Sequence, residues 1–206
     1  MRPPRELLPV ALIGAGIASA AAFVLLTRRV NRRRTRTMDG AARKRFPKRR
    51  RRATRVAAEV ILPLGKWYGQ MPAAALAAAL AWRRSGARAG LPIAGASAAA
   101  ASLAWLLEQT MKPRQPPPGR HSPTEPAFPS GHALQTSAAA LATAWVLVRE
   151  GTSPGIVVPL AVALPIASGV AKLYLDKHWL TDVVGGYLVG TTLAASAAAT
   201  YEIARR

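Results

Sequence analysis

Val183-Val184-Gly185-Gly186-Tyr187-Leu188-Val189-Gly190-Thr191-Thr192-Leu193-Ala194-Ala195-Ser196-Ala197-Ala198-Ala199-Thr200-Tyr201 runs nineteen residues without a charge. A helix needs roughly 20 apolar residues to cross a bilayer core. Working outward, Leu7–Thr27, Ala89–Leu107 and Gly151–Ala171 are charge-free and of similar length. Ala133–Val148 is slightly short, yet with His132 neutral it qualifies as well. Trp67–Trp82 is the weakest candidate, long enough only if it continues back through Lys66 to Glu59. Backbone groups in lipid must be satisfied within their own segment, so crossing segments of this kind are helices. The expectation is an all-α, multi-pass membrane helical bundle of about six transmembrane helices. The spacing Gly186-x3-Gly190 predicts close helix packing, more in keeping with internal contacts than with dimerisation.

The chain has 206 residues, half of them hydrophobic, and no cysteine. Disulfides, thiolate catalysis and cysteine-bound metals are thereby excluded. A secretory signal competes for the first apolar run, because Ala18-Ser19-Ala20 has the look of a cleavage site. The run continues past it to Leu26 and then meets arginines, the pattern of a retained anchor. The expected organisation is a first span in residues 1–27, a polybasic loop in 28–55 and a five-span core in 56–206.

The formal net charge of +20 is concentrated. Residues 28–55 hold 15 Lys or Arg and one acid, Asp39, for a net +14. Three readings compete: a cytoplasmic topology signal, attraction to anionic lipid headgroups, and nucleic-acid binding through phosphates. Phe46 is the lone aromatic in the block, so base stacking has little to work with. No nucleic-acid partner is expected; the bilayer is, with anionic lipids at 28–55 as a further partner.

Histidines occur at 121, 132 and 178, and the last two sit in polar clusters at the ends of predicted spans. Phe128-Pro129-Ser130-Gly131-His132 opens the fourth span. A helix N-terminus presents unpaired N–H groups and a positive dipole end, both suited to an anion. Gly131 allows close backbone approach, and Ser130 adds a hydroxyl. The second cluster runs from Lys172 through His178 to Asp182 and bridges the fifth and sixth spans. If helical, it places His178 and Asp182 on one face at i, i+4. The carboxylate can then accept from one ring nitrogen and leave the other free as a nucleophile. Each piece alone reads equally as a helix cap, a structural pair or a snorkelling lysine. Ionisable groups beside membrane spans are rare, however, and a complementary set of them points to function.

These residues resemble the type 2 phosphatidic acid phosphatase and vanadium haloperoxidase superfamily. Its signatures run Lys-x6-Arg-Pro, Pro-Ser-Gly-His and Ser-Arg-x5-His-x3-Asp. Pro129 to His132 match the second in full; His178 and Asp182 match the third, where Ala171 and Lys172 stand in place of Ser and Arg. The resemblance covers roughly residues 56–203. The first signature is degenerate. Lys112 ends the third span, Arg114 comes too early, and Arg120-His121 is one residue late. A strict alignment would put Glu108 and Gln115 in the lysine and arginine roles. Phosphate needs cations, which favours Lys112 with Arg120 or Arg114. Lys172 for arginine is a real change, since lysine cannot bind bidentately.

The resemblance implies a metal-independent lipid phosphatase without cofactor. His178 would attack phosphorus, Asp182 would orient it, and His132 would protonate the leaving oxygen and later activate water. Ser130, Gly131, Lys172, Lys112 and an arginine, Arg120 or Arg114, would bind phosphate oxygens. The implied substrate is a phosphorylated lipid, polyprenyl or glycerolipid. Two other readings stay open: an inactive relative that binds lipid phosphates, and a polybasic membrane adaptor. Span counting puts residues 28–55, the 112–130 loop and the 176–181 turn on one side. The positive-inside rule makes that side cytoplasmic, whereas bacterial relatives commonly face outward.

Overall fold

The computed structural model describes residues 7–46, 51–112, 114–118 and 127–206. Among them are eight α-helices and no strand: α1 (Leu7–Asn31), α2 (Arg36–Lys44), α3 (Arg52–Ile61), α4 (Trp67–Ser85), α5 (Ala87–Thr110), α6 (Gly131–Arg149), α7 (Pro154–Tyr174) and α8 (Leu180–Ala204). Helices α1, α5, α7 and α8 are long and apolar enough to cross a membrane. The other two long helices, α4 and α6, have 19 residues each, about 28 Å at the α-helical rise. That is close to the roughly 30 Å of a hydrocarbon core.

The second predicted span is corrected in its direction of growth. It does not run back through Lys66, because a 3-10 turn at Leu62–Gly65 separates α3 from α4 and Lys66 is extended (φ −99°, ψ 157°). Pro63 enters at the start of that turn, where its missing N–H costs nothing. The helix instead gains length forward, to Ser85.

Helices α6 and α8 form the centre, and small residues let their backbones approach. A Cβ on Gly186 would sit 2.8 Å from the Ala133 Cβ, and one on Gly190 would sit 2.6 Å from the Leu134 carbonyl oxygen. The Gly186-x3-Gly190 spacing thus serves a contact inside the chain. Helix α1 lies along α8: Ser19 donates to the Leu188 carbonyl at 2.8 Å, and Gly16 faces Ala195. Outward faces carry Val10, Ile17, Leu76, Trp105, Ile156 and Leu160, all strongly exposed. An apolar surface this extensive belongs against lipid. The protein is a multi-pass membrane protein.

At one end of the bundle, Glu202 takes Arg149 and the Trp145 indole N–H at 3.0 Å, while Tyr201 donates to Glu150 at 2.6 Å. The opposite end holds the C-terminus of α1, the start of α4, the end of α5, the start of α6, the end of α7 and the start of α8. Polar residues gather there.

Candidate active site

Ser130 is the N-cap of α6 and fully buried; its hydroxyl accepts from the Ala133 N–H at 3.5 Å. Its own N–H donates to the Asp182 carbonyl at 2.9 Å, which ties the opening of α6 to the opening of α8. The Phe128–Pro129 peptide is cis. Gly131 and His132 follow as the first helical residues, whose N–H groups have no intrahelical acceptor. The bare Cα of Gly131 faces α5, where a Cβ would meet the Glu108 Oε1 at 3.3 Å and the Ala104 Cβ at 3.6 Å. Glycine there admits α5, and any contact to a phosphate falls to its N–H.

His178 lies in the turn between α7 and α8, ahead of the helix that carries Asp182. The expected helical i, i+4 face is therefore absent. The two side chains still approach, with His178 Nδ1 3.7 Å from Asp182 Oδ2. That distance is an ion-pair contact and too long for a hydrogen bond. The hydrogen bond of Nδ1 goes to the Ala127 carbonyl at 2.7 Å. A carbonyl only accepts, so Nδ1 carries the proton and Nε2 of the neutral ring keeps its lone pair. Burial holds the His178 pKa below the ordinary 6.5; Asp182 opposes the shift and Lys172 adds to it.

Asp182 is completely buried and its oxygens are committed elsewhere. Oδ2 accepts from the Trp179 N–H at 2.7 Å, capping α8, and Oδ1 pairs with Arg114. Arg114 also donates to Thr181 Oγ1 at 2.8 Å and pairs with Asp39 at 2.6 Å. Asp39, from α2, accepts from the Thr181 N–H at 3.0 Å and the Thr181 hydroxyl at 2.9 Å. Arg114, expected among the phosphate binders, is thus bound to two buried carboxylates and braces Asp182.

Lys172, at the end of α7, is buried. The charges of Lys172, Lys66 and Lys177 and the ring of His178 lie within electrostatic reach of His132. Lys112 is exposed beyond the end of α5. Arg120 and His121 lie outside the described residues. Sequence reasoning missed Ala127, Asp39 and Thr181. The signal for Asp39 was present: it is the single acid within a block of 15 cations, and it is only 2% exposed.

A cavity of about 300 Å³ opens between α4, α6 and α7. Its walls include Gln70, Ala74, Thr136, Ala140, Ala144 and Leu164. Thr136 lies one turn beyond His132 and donates to its carbonyl at 2.7 Å.

The model of the PAP2 superfamily matches residues 104–206, half of the chain, including His132, His178 and Asp182. The chain belongs to the PAP2 superfamily. It is 31% identical over 109 residues to decaprenylphosphoryl-5-phosphoribose phosphatase of Mycobacterium tuberculosis, covering 50% of this chain and 56% of that protein. It is 30% identical over 71 residues to phosphatidylglycerophosphatase B of Bacillus subtilis, covering 32% and 35%. These matches thus span about a third to a little over half of the relatives' lengths. The fold is similar to that of a transmembrane PAP2-type phosphatidylglycerolphosphate phosphatase from Bacillus subtilis, with a TM-score of 0.77 at 20% identity over 86% of this chain and 91% of that one. The shared fold therefore extends beyond the segment that the PAP2 superfamily model matches.

Proposed function

We infer that this PAP2 superfamily member is an integral-membrane phosphatase that hydrolyses a phosphate or diphosphate monoester of a lipid through a phosphohistidine. The observation that carries the reading is the 2.7 Å bond from His178 Nδ1 to the Ala127 carbonyl. It fixes the tautomer that leaves Nε2 nucleophilic, in a setting that keeps the ring neutral. Attack of Nε2 on phosphorus forms the N–P bond as the bond to the lipid oxygen breaks. His132 gives that oxygen its proton. The ring, now carrying both the phosphoryl group and the Nδ1 proton, becomes cationic, with Asp182 at 3.7 Å to balance it. His132 then takes a proton from water, which attacks phosphorus and frees His178. Ser130, the Gly131 N–H and Lys172 hold phosphate oxygens, a preorganised field that supplies most of the rate gain. The apolar cavity one turn below His132 suits the tail of a lipid. The PAP2 relatives named above support polyprenyl and glycerolipid phosphates as the substrate classes.

Phosphate release in detergent from a panel of such lipids is the direct test: turnover by the wild type that depends on His178 is expected. A second reading, an inactive relative that binds lipid phosphate, draws support from Glu108 at the anion-binding end of α6. Equal, slow release by wild type and His178→Ala would favour it.

The polybasic segment shares the face of the site through Asp39 and through Arg43, which pairs with Asp176 at 3.1 Å. Its +14 charge assigns that face to the cytoplasm and draws it to anionic headgroups, at roughly 1 kcal/mol per basic residue near the surface. The natural chain has no cysteine, so a single Gln115→Cys reports sidedness. Gln115 is exposed, and among the described residues its backbone carbonyl accepts from the Trp179 indole N–H. No labelling of intact cells by an impermeant maleimide, with labelling after lysis, is expected. Labelling of intact cells would put the site outside.

A further inference from the structure

Among the described residues, the phosphate cradle read from the sequence is short of cations beyond Lys172. Arg114 is held by Asp39 and Asp182, and Lys112 is exposed. A different lysine stands at the site. Lys66 follows the 3-10 turn that interrupts the approach to α4, and its carbonyl accepts from the Gly69 and Gln70 N–H groups at 2.9 Å each. The turn is pressed against the catalytic helix. A Cβ on Gly65 would lie 2.7 Å from Ser168 Oγ and 2.8 Å from His132 Cδ2. No side chain fits there, so the backbone just before Lys66 is fixed beside His132. The side chain of Lys66 is partly exposed and its charge reaches the His132 ring.

Ser168 supplies an independent observation. It is 1% exposed, and its hydroxyl has no hydrogen-bond partner among the described residues. Leaving such a group unpaired is costly, and native interiors rarely do so without a functional reason. Ser168 lies one helical turn before Lys172, so α7 presents both to the same side. Ser168 Oγ and His132 Cδ2 flank the same point above Gly65. An acceptor oxygen arriving beside His132 completes this set.

We propose that Lys66 and Ser168 form the His132-side half of the phosphate site, Lys66 by charge and Ser168 by donating to an anionic oxygen of the phosphorylated lipid. This rests on the phosphatase reading and adds to it two residues from outside the three signatures. It also accounts for the degenerate first signature, since a cation from the start of α4 takes over from one at the end of α5. The site still holds phosphate with Lys112 exposed and Arg114 engaged.

The test uses the full chain in detergent, with the lipid phosphate that wild type turns over fastest and inorganic phosphate as competing ligand. Lys66→Met is expected to lower kcat/KM about tenfold or more and to raise the inhibition constant for inorganic phosphate by a similar factor, the loss of one charge-assisted bond. Lys66→Arg restores most of both, and Ser168→Ala shows a smaller loss in the same two quantities. Lys66→Met with both within about twofold of wild type overturns the proposal. So does a loss of activity with phosphate inhibition unchanged, which would make Lys66 merely structural. If turnover does not depend on His178, the phosphatase reading itself has failed. Calorimetric binding of inorganic phosphate then decides for Lys66 alone: weaker binding by Lys66→Met upholds the site, and equal or absent binding sinks it.

Discussion

Replacing His178 by alanine is expected to cut phosphate release by at least about 10³-fold, the scale seen when a covalent nucleophile is removed. The melting profile in detergent should change far less, since among the described residues the ring contributes one hydrogen bond, to Ala127. Asp182→Asn separates orientation from charge. In triads where the carboxylate itself fixes the tautomer, the same change costs about 10⁴-fold. Here the Ala127 carbonyl fixes it, and Asn still accepts from the Trp179 N–H. The expected loss is therefore smaller, about 10²-fold, from the missing counter-charge to the phosphorylated ring. The pH profile supplies a sign. The carboxylate raises the His178 pKa against the lowering by burial, so its removal moves the acid limb of kcat/KM to lower pH. Wild type should hold its nucleophile neutral below pH 6.5, and the variant further below. An acid limb that moves up, or a loss near 10⁴-fold, would return the orienting role to Asp182.

Arg114→Ala is expected to be the most destabilising single change around the site. Asp39 and Asp182 are 1% and 0% exposed at their side chains, and Arg114 pairs with both. Its removal leaves two carboxylates buried with their shared cation gone, a defect of roughly 3–5 kcal/mol. The melting temperature in detergent should fall by several degrees and activity should fall with it. Arg114→Lys should rescue poorly, because an ammonium lacks the planar fork that reaches two carboxylates and Thr181 together. Arg114→Ala combined with Asp39→Asn should be more stable than Arg114→Ala alone, since one orphaned charge is gone. A double variant no better than the single would mean that Arg114 acts through packing.

The same cluster gives the polybasic segment a structural share in the site. Asp39 bonds Thr181 beside Asp182, and Arg43 reaches both Asp176 and the Pro118 carbonyl. A segment that the charge pattern marks as a membrane-surface element is thereby fastened to the turn that carries His178.

Helix α8 and Pro129 to His132 were legible in the sequence because their signals are local. An uncharged run either matches the bilayer or does not, and a cap residue sits at a fixed offset from its helix. The end of α5 was harder. Spacing made Arg114 and Lys112 equivalent candidates for phosphate, and nothing local shows that Asp39, 75 residues away in the chain, takes the arginine. Lys66 read only as a charge that weakens a span, because the turn that sets it beside His132 depends on contact with α6.

The sequence by itself determined that this chain is a helical membrane bundle and which residues are available for its chemistry. Periodicity, charge-free length and motif spacing are properties of contiguous residues and survive without coordinates. The tertiary structure decided the partners: the carbonyl that sets the His178 tautomer, the carboxylates that claim Arg114, and the turn before Lys66 that is set against His132. Buried donors and acceptors must be paired, and which group satisfies which is settled only when helices far apart in sequence pack end by end.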